Sequence, residues 1–263
     1  MDNYNNKFPP FSSTTQQKNF PQIENNNQPI TKNFLKNSSI TKIATTNIRT
    51  LSKDKLIFTL DAMQNNNIDI YGLAETNLSH RQSKIWQQQF GSMDILIIHN
   101  RGQKKNVRLI QVYINANKKE RTQIEELYQY IENIIDEAKN KNMEIIIMGD
   151  FNINYRKYLM AFVTNRWYFK LFKMLENRHL LDTIPIFNED DENIYTYIPP
   201  NDSNEKSRID YIWASLPIIG QSLNSTVMEN DHSSTDHNTV TLSLDTQLFI
   251  GKALPKINKG KRK

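Results

Sequence analysis

Along this chain, apolar runs of strand length recur, and most of them stop at a residue that can bind a proton or a cation. Glu144-Ile-Ile-Ile-Met-Gly-Asp-Phe-Asn-Ile153 is the sharpest case. Ile145 to Met148 has the length and character of a fully buried strand, closed by the turn signal Gly149. Alternation of side chains then sends Asp150 and Asn152 to the same side, at the rim where the strand emerges. Ile43 to Arg49 is a short β-prone run carrying Asn47 near its end, and Ile68 to Asn77 is apolar until Glu75. Val107 to Tyr113 predicts a strand that ends in Tyr113 and a polar loop. Ser207-Arg-Ile-Asp210-Tyr-Ile-Trp213 places an acid within an aromatic-rich strand, and Ser234-Thr-Asp236-His237-Asn238 leads into a strand from Val240 to Leu244. One acid at a strand end is a cap or a turn. So many in one domain point to a shared cleft.

Between the strands the period changes. Ile124, Leu127, Tyr128, Ile131, Ile134, Ile135 and Ala138 follow the three/four spacing of an amphipathic helix. Leu56, Ile57, Leu60 and Met63 fit a shorter one, with Ser52 or Asp54 near its start. The spacing predicts a third helix from about Arg156 to Asn177, with Trp167, Phe169, Leu171, Phe172 and Leu175 on a broad apolar face. Mixed strands and helices ending in polar loops suit an α/β architecture of two sheets flanked by helices. The sequence carries no internal repeat.

A carboxylate beside a neutral carboxamide, as in Gly-Asp150-Phe-Asn152, suits a site that holds a metal or a base next to a phosphate, although Gly-Asp-x-Asn also makes ordinary turns. Leu-Ala-Glu75-Thr-Asn, Met-Gly-Asp150-Phe-Asn152, Ser-Arg-Ile-Asp210-Tyr-Ile and Thr-Asp236-His237-Asn occur here in that order. As a set they resemble the endonuclease/exonuclease/phosphatase superfamily of Mg²⁺-dependent phosphodiesterases. Within it, the wording is similar to the endonuclease domains of non-LTR retrotransposons, over residues 40–246. The resemblance implies the DNase I-like fold, a four-layer α/β sandwich of two mixed β-sheets flanked by helices.

It also implies roles. Glu75 would be the main metal ligand, Asn47 would help shape the metal and phosphate pocket, and Asp236 is a further candidate ligand. Tyr113 would contact the scissile phosphate. Asp150 would position or deprotonate the attacking water, and Asn152 would hydrogen-bond a phosphoryl oxygen. Asp236 would orient His237, which would stabilise charge in the transition state, while Asp210 would support that histidine or the metal site. The residue types make chemical sense. Mg²⁺ is a hard ion that prefers carboxylate oxygens and keeps several waters, so one or two carboxylates suffice; Mn²⁺ could replace it. A histidine held by a carboxylate has a fixed tautomer and protonates more readily. Donors aimed at developing charge supply the electrostatic term such reactions depend on.

Each position also has a plainer reading. Asp210 could be half of a strand-edge ion pair with Arg208, Tyr113 could be a packing residue, and His232 in Asp231-His-Ser-Ser competes with His237 on composition. Thr196-Tyr197 resembles the family's Thr-aromatic pair ahead of Arg-Ile-Asp, but packing explains it equally well. His80, His99 and His179 are expected on the surface or in loops.

The family pattern is broken in one place. After Ile95-Leu-Ile-Ile-His99 only Asn100 to Asn106 intervenes before Val107. About two strands of one sheet, at about five or six residues each, are therefore expected to be missing between residues 99 and 107. Losing interior strands would unpair ladders and expose edges.

Of 263 residues, about 200 carry the periodic pattern, enough for one domain with a sizeable core. Residues 1–39 are rich in Asn, Gln, Ser, Thr and Pro and are expected to be disordered. Residues 247–263 form a basic tail, with six basic residues and no acid from Gly251 to Lys263. That tail exceeds the whole net charge of +5, so the intervening domain is slightly acidic. The tail could contact phosphate without sequence preference, act as a nuclear-import signal, or be a solvated terminus. There is no cysteine, no apolar run of about 18 residues, and no signal-peptide pattern at Met1. The expectation is an intracellular protein, nuclear or cytoplasmic, away from membranes.

The sequence thus points to a Mg²⁺-dependent phosphodiesterase, a DNA-nicking endonuclease of retroelement origin that works as a monomer on DNA without an obligate protein partner. Two alternatives stay open. One is a catalytically inactive truncated relic or binding module; the other is a phosphatase acting on a non-nucleic-acid phosphoester.

Overall fold

The computed structural model describes residues 40–77, 106–161, 166–188, 193–200, 206–230 and 235–245. In chain order the strands are β1 Ile40–Asn47, β2 Ile70–Ala74, β3 Val107–Tyr113, β4 Glu144–Asp150, β5 Leu180–Asp182, β6 Asp210–Ser215, β7 Ser222–Met228 and β8 Thr239–Asp245. The α-helices are α1 Lys53–Asn65, α2 Arg121–Asn140, α3 Tyr155–Leu159 and α4 Lys170–Asn177, with single turns α5 Ile184–Phe187 and α6 Leu216–Ile219. The strands form two four-stranded sheets, in the orders β2-β1-β8-β7 and β3-β4-β6-β5. Both sheets are mixed: β1–β2 and β3–β4 are parallel, and the other pairs are antiparallel.

Alternation along β4 assigns its two faces. Ile145 and Ile147 turn outward with Tyr211 and Trp213 of β6, against Ile124, Tyr128, Ile131 and Ile135 of α2 and Leu171 and Phe172 of α4. Ile146 and Met148, with Ile212 and Ala214 of β6, turn inward against Ile43, Val240, Leu242 and Leu244 of the other sheet. The same parity carries Asp150 and Asp210 onto the inward face. On the far side of the first sheet, α1 covers one end through Leu56, with Ile48, Leu51 and Leu73. The layers are therefore helices, sheet, sheet, helix: the expected two mixed sheets flanked by helices.

Several local expectations change. The expected helix from Arg156 to Asn177 is two helices, α3 and α4, with a 3₁₀ turn at Trp167–Phe169 before the second. The hydroxyls of Tyr155 and Tyr158 both donate to the Glu176 carboxylate at 2.7 Å. In one continuous helix those residues would lie roughly 30 Å apart, at about 1.5 Å per residue. Helix α1 starts as expected at Ser52, whose hydroxyl caps the N–H of Lys55, but it buries Leu56 and Thr59 and leaves Ile57 and Leu60 more than 40 % exposed. The strand expected from Ser207 begins only at Asp210, because the Thr196 hydroxyl takes the N–H groups of Ile209 and Asp210. His179 lies in an exposed turn, as expected.

At Gly149 the backbones of β3 and β4 leave no room for a side chain. Its φ is +135°, and a Cβ there would stand 1.9 Å from the Val112 carbonyl oxygen. The shortened connection between residues 99 and 107 lies outside the described residues up to Asn106, as do His80, His99, His232, residues 1–39 and the basic tail. Among the described residues β2 and β3 are edge strands. Both four-stranded ladders are whole among the described residues. No helix among the described residues is long and apolar enough to cross a membrane.

Candidate active site

Both sheets deliver their polar strand ends to one rim of the inter-sheet cleft. Register aligns three of them in the second sheet, where Tyr113 pairs with Asp150 and Asp150 with Asp210. In the first sheet, β1 ends at Asn47, paired with Ala74 just before Glu75. The sheets are joined there by one amide. Asn47 Nδ2 donates to Glu75 Oε2 at 2.9 Å and to Asp150 Oδ2 at 2.8 Å, and its Oδ1 accepts from the Arg49 N–H at 2.9 Å. Asn47 itself is buried and tied to the β8 approach, since the Thr235 hydroxyl donates to its carbonyl.

Asp150 is fully buried. Its Oδ1 accepts from the Asn152 N–H at 2.8 Å, and the Asn152 amide reaches both Asp150 Oδ2 at 3.1 Å and the Ile114 carbonyl at 2.7 Å. Those bonds hold Asn152 at φ +50°, and Glu75 has φ +53°. Left-handed backbone at a non-glycine costs about 1–3 kcal/mol, and it persists only where the surroundings enforce it. Burial, and then the Asp210 carboxylate nearby, push the Asp150 carboxyl up to about 7, against the opposing influence of His237, Asn47 and the Asn152 N–H.

His237 is buried, and its Nδ1 lies 2.8 Å from Asp210 Oδ2. Burial works against the charged imidazolium, but Asp210, by charge and hydrogen bond, holds the ring above its usual value. The carboxylate that orients the histidine is therefore Asp210. Asp236, which precedes it in sequence, stands 4.0 Å from His237 Nε2 and instead pairs with Arg49 Nη1 at 3.0 Å. The chain turns between Asp236 and His237, where the His237 N–H donates to Thr235 Oγ1, so adjacent side chains diverge. Arg208 pairs with Asp182, not with Asp210. Thr196 supports the Asp210 backbone through its hydroxyl, and Tyr197 packs its ring 5.1 Å from that of His237. Tyr113 is partly exposed at the rim. Burial, then the carboxylates of Glu75 and Asp150, raise its phenol, so it stays protonated at neutral pH.

Asn47, Glu75, Asp150 and Asn152 are thus linked through hydrogen bonds at one rim, and Asp210 and His237 form a second hydrogen-bonded pair there, with Tyr113 and Asp236 beside them. Sequence reasoning missed Arg49 and Thr235 and left Thr196 undecided. A Ser/Thr two residues before a turn is a weak signal for Thr235; nothing in the sequence pairs Arg49 with Asp236. The donor set fits a hard divalent cation. Asp210 Oδ1 is buried without a hydrogen-bond partner, and neither Asp236 oxygen has a well-aligned one despite the Arg49 ion pair. Burying such charge uncompensated is costly. Asp150, Asp210 and His237 each offer a ligand atom within 4.8 Å of one another. As placed, the Asn47 amide presents its NH₂ to the carboxylates of Glu75 and Asp150 and its Oδ1 to the Arg49 N–H.

A family model described as endonuclease-reverse transcriptase matches residues 107–241. No curated protein matches. Among solved structures, a 3′ phosphatase from Neisseria bound to a product DNA hairpin superposes with a TM-score of 0.60 at 18% identity, covering 78% of this chain and 99% of that one. A 3′-5′ exonuclease from Neisseria meningitidis gives 0.60 at 18% identity, over 78% of this chain and 100% of the other. An AP endonuclease from Archaeoglobus fulgidus gives 0.57 at 14%, over 78% and 99%. At these identities the likeness is one of fold.

Proposed function

Because this chain belongs to the endonuclease-reverse transcriptase family, within the endonuclease/exonuclease/phosphatase superfamily, we propose that it is a divalent-metal-dependent phosphodiesterase acting on DNA. The specific reading is a strand-nicking endonuclease of retroelement origin that uses Mg²⁺. The observation that carries it is the single Asn47 amide holding Glu75 of one sheet and Asp150 of the other, beside a histidine fixed by Asp210.

Glu75 would be the main metal ligand. The Asp150–Asp210–His237 group would offer Asp210 Oδ1, which has no hydrogen-bond partner, as a further ligand. When bound, the cation would neutralise charge developing on the phosphoryl oxygens. Asp150, held by Asn47 and Asn152, would take the proton of the attacking water; a carboxyl near 7 suits a base at neutral pH. His237, whose imidazolium form Asp210 favours, would donate to a phosphoryl oxygen as charge builds there. Tyr113 would contribute a phenolic O–H at the rim, and Asn152 would contact the phosphate as the cleft fills.

What speaks against an inactive relic is that Asn47 joins Glu75 and Asp150. A phosphomonoester at a DNA end is a second substrate of the same chemistry, in keeping with the Neisseria 3′ phosphatase of like fold. The test is nicking of supercoiled plasmid by the purified protein with Mg²⁺ and with EDTA, beside Asp150→Ala and His237→Ala. Metal-dependent nicking lost in both variants is expected. No nicking by a cooperatively folding protein would refute the endonuclease reading, and 3′-phosphate release would redirect it to a phosphatase.

A further inference from the structure

Sharing Asn152 with the cleft is a groove of about 590 Å³. Lys118, Lys157 and Arg166 line it, delivered by three separate segments: the turn after β3, helix α3, and the approach to α4. Among the described residues, none of the three is ion-paired to an acid. Three exposed cations would ordinarily repel and disperse. Here one ring gathers two of them. Lys118 Nζ sits 4.5 Å over the centroid of Tyr168, and Arg166 Nη1 lies 2.6 Å from the Tyr168 hydroxyl, donating to it. Tyr168 is braced edge-on by Trp167 and by the buried Phe169, and Arg121 lies over Trp167.

This concentration of positive charge is local, because the domain without its tails is slightly acidic. Converging cations with a braced aromatic post suit a polyanion lying across them. A small phosphoester would occupy only the cleft, whereas a polymer has further phosphates to place. Phosphate contacts of this kind fix register without reading sequence.

We propose that this groove is a DNA-backbone site, in which phosphates flanking the scissile one lie against Lys118, Lys157 and Arg166, with Tyr168 holding Lys118 and Arg166 in position. Its role in turnover rests on the phosphodiesterase reading; its role in binding does not.

The experiment uses the full chain and a short DNA duplex, with binding followed by fluorescence anisotropy in EDTA over a series of salt concentrations. The variant Lys118→Gln/Lys157→Gln/Arg166→Gln should bind more weakly, and its log–log salt slope should fall by about 0.9 for each phosphate that is no longer neutralised. Tyr168→Ala, with all three cations kept, should lose part of that binding, and Tyr168→Phe less. With Mg²⁺, the triple variant should lose kcat/KM on DNA and keep the parent's value on bis(4-nitrophenyl) phosphate. If the triple variant fails to fold, Lys157→Gln alone, at an exposed position, should lower the slope by about 0.9. An unchanged slope in a folded variant would overturn the proposal, as would equal loss on both substrates. If the parent hydrolyses neither substrate, the phosphodiesterase reading fails, and the slope alone decides the groove.

Discussion

At the scale of single residues, the candidate site is a set of buried charges that folding alone leaves incompletely compensated. Two of them make stability depend on pH in the same direction. The Asp150 carboxyl, raised to about 7 by burial and by Asp210, binds its proton more tightly in the folded than in the unfolded chain. Its contribution therefore falls as pH rises from the ordinary aspartate range through about 7. The His237 imidazole is also raised, so the stability it lends is present below its unfolded value and is lost as pH climbs through the folded one. Metal-free protein should lose stability from pH 4 to 8, and Asp150→Asn should flatten that decline; urea unfolding in EDTA across this range measures both. A decline as steep in Asp150→Asn would remove Asp150 as its source. Asn47 makes a separate prediction. Asn47→Ala removes the amide between Glu75 and Asp150, and support of this kind is worth about 10–100-fold in metal affinity. Calorimetric titration with Mn²⁺ should show a loss of that order; an unchanged affinity would mean that Glu75 needs no support.

At the scale of elements, what matters is how closely strands approach and where helices break. Gly149 lets β4 pass close against the Val112 carbonyl, and any Cβ there meets backbone, which cannot swing aside. Gly149→Ala should destabilise the protein by about 3 kcal/mol or more, combining a strained left-handed φ with overpacking. A denaturant midpoint equal to the parent's would show that β3 can retreat freely. Because Tyr113 pairs with Asp150 across the same ladder, that retreat would also move the rim. The split of the expected Arg156–Asn177 helix into α3 and α4 has a comparable origin. Two tyrosine hydroxyls satisfied by one Glu176 carboxylate outweigh the continuity that periodicity suggests.

At the scale of the whole molecule, the site depends on two sheets meeting face to face, with each supplying half of the Asn47 bridge. Strands β1 and β4 lie inside their sheets among the described residues, with β2 and β3 at the edges, so the bridge rests on the inner strands. The basic tail adds an independent electrostatic handle. Removing residues 251–263 takes away six positive charges, and should weaken DNA binding and flatten its salt dependence further than the groove substitutions do. An unchanged slope after truncation would show that the tail neutralises no phosphate.

Periodicity in the sequence marked six of the eight described strands, while β5 and β7 were not among the runs it picked out. Asp150 lies inward because Ile146 and Met148 do, and Asp210 because Ile212 and Ala214 do. The long amphipathic helix α2 was equally plain, since its buried stripe repeats every three or four residues. Partnership across the fold was not legible. Whether Asp210 or Asp236 holds His237, whether Arg208 takes Asp210 or Asp182, and whether Asn47 is a ligand or a clasp all depend on strand neighbours and register. Asn47 and Asp150 are 103 residues apart, and Asp210 and His237 are 27 apart. Local pattern sets the face on which a side chain stands. Only the pairing of the sheets decides what stands opposite it.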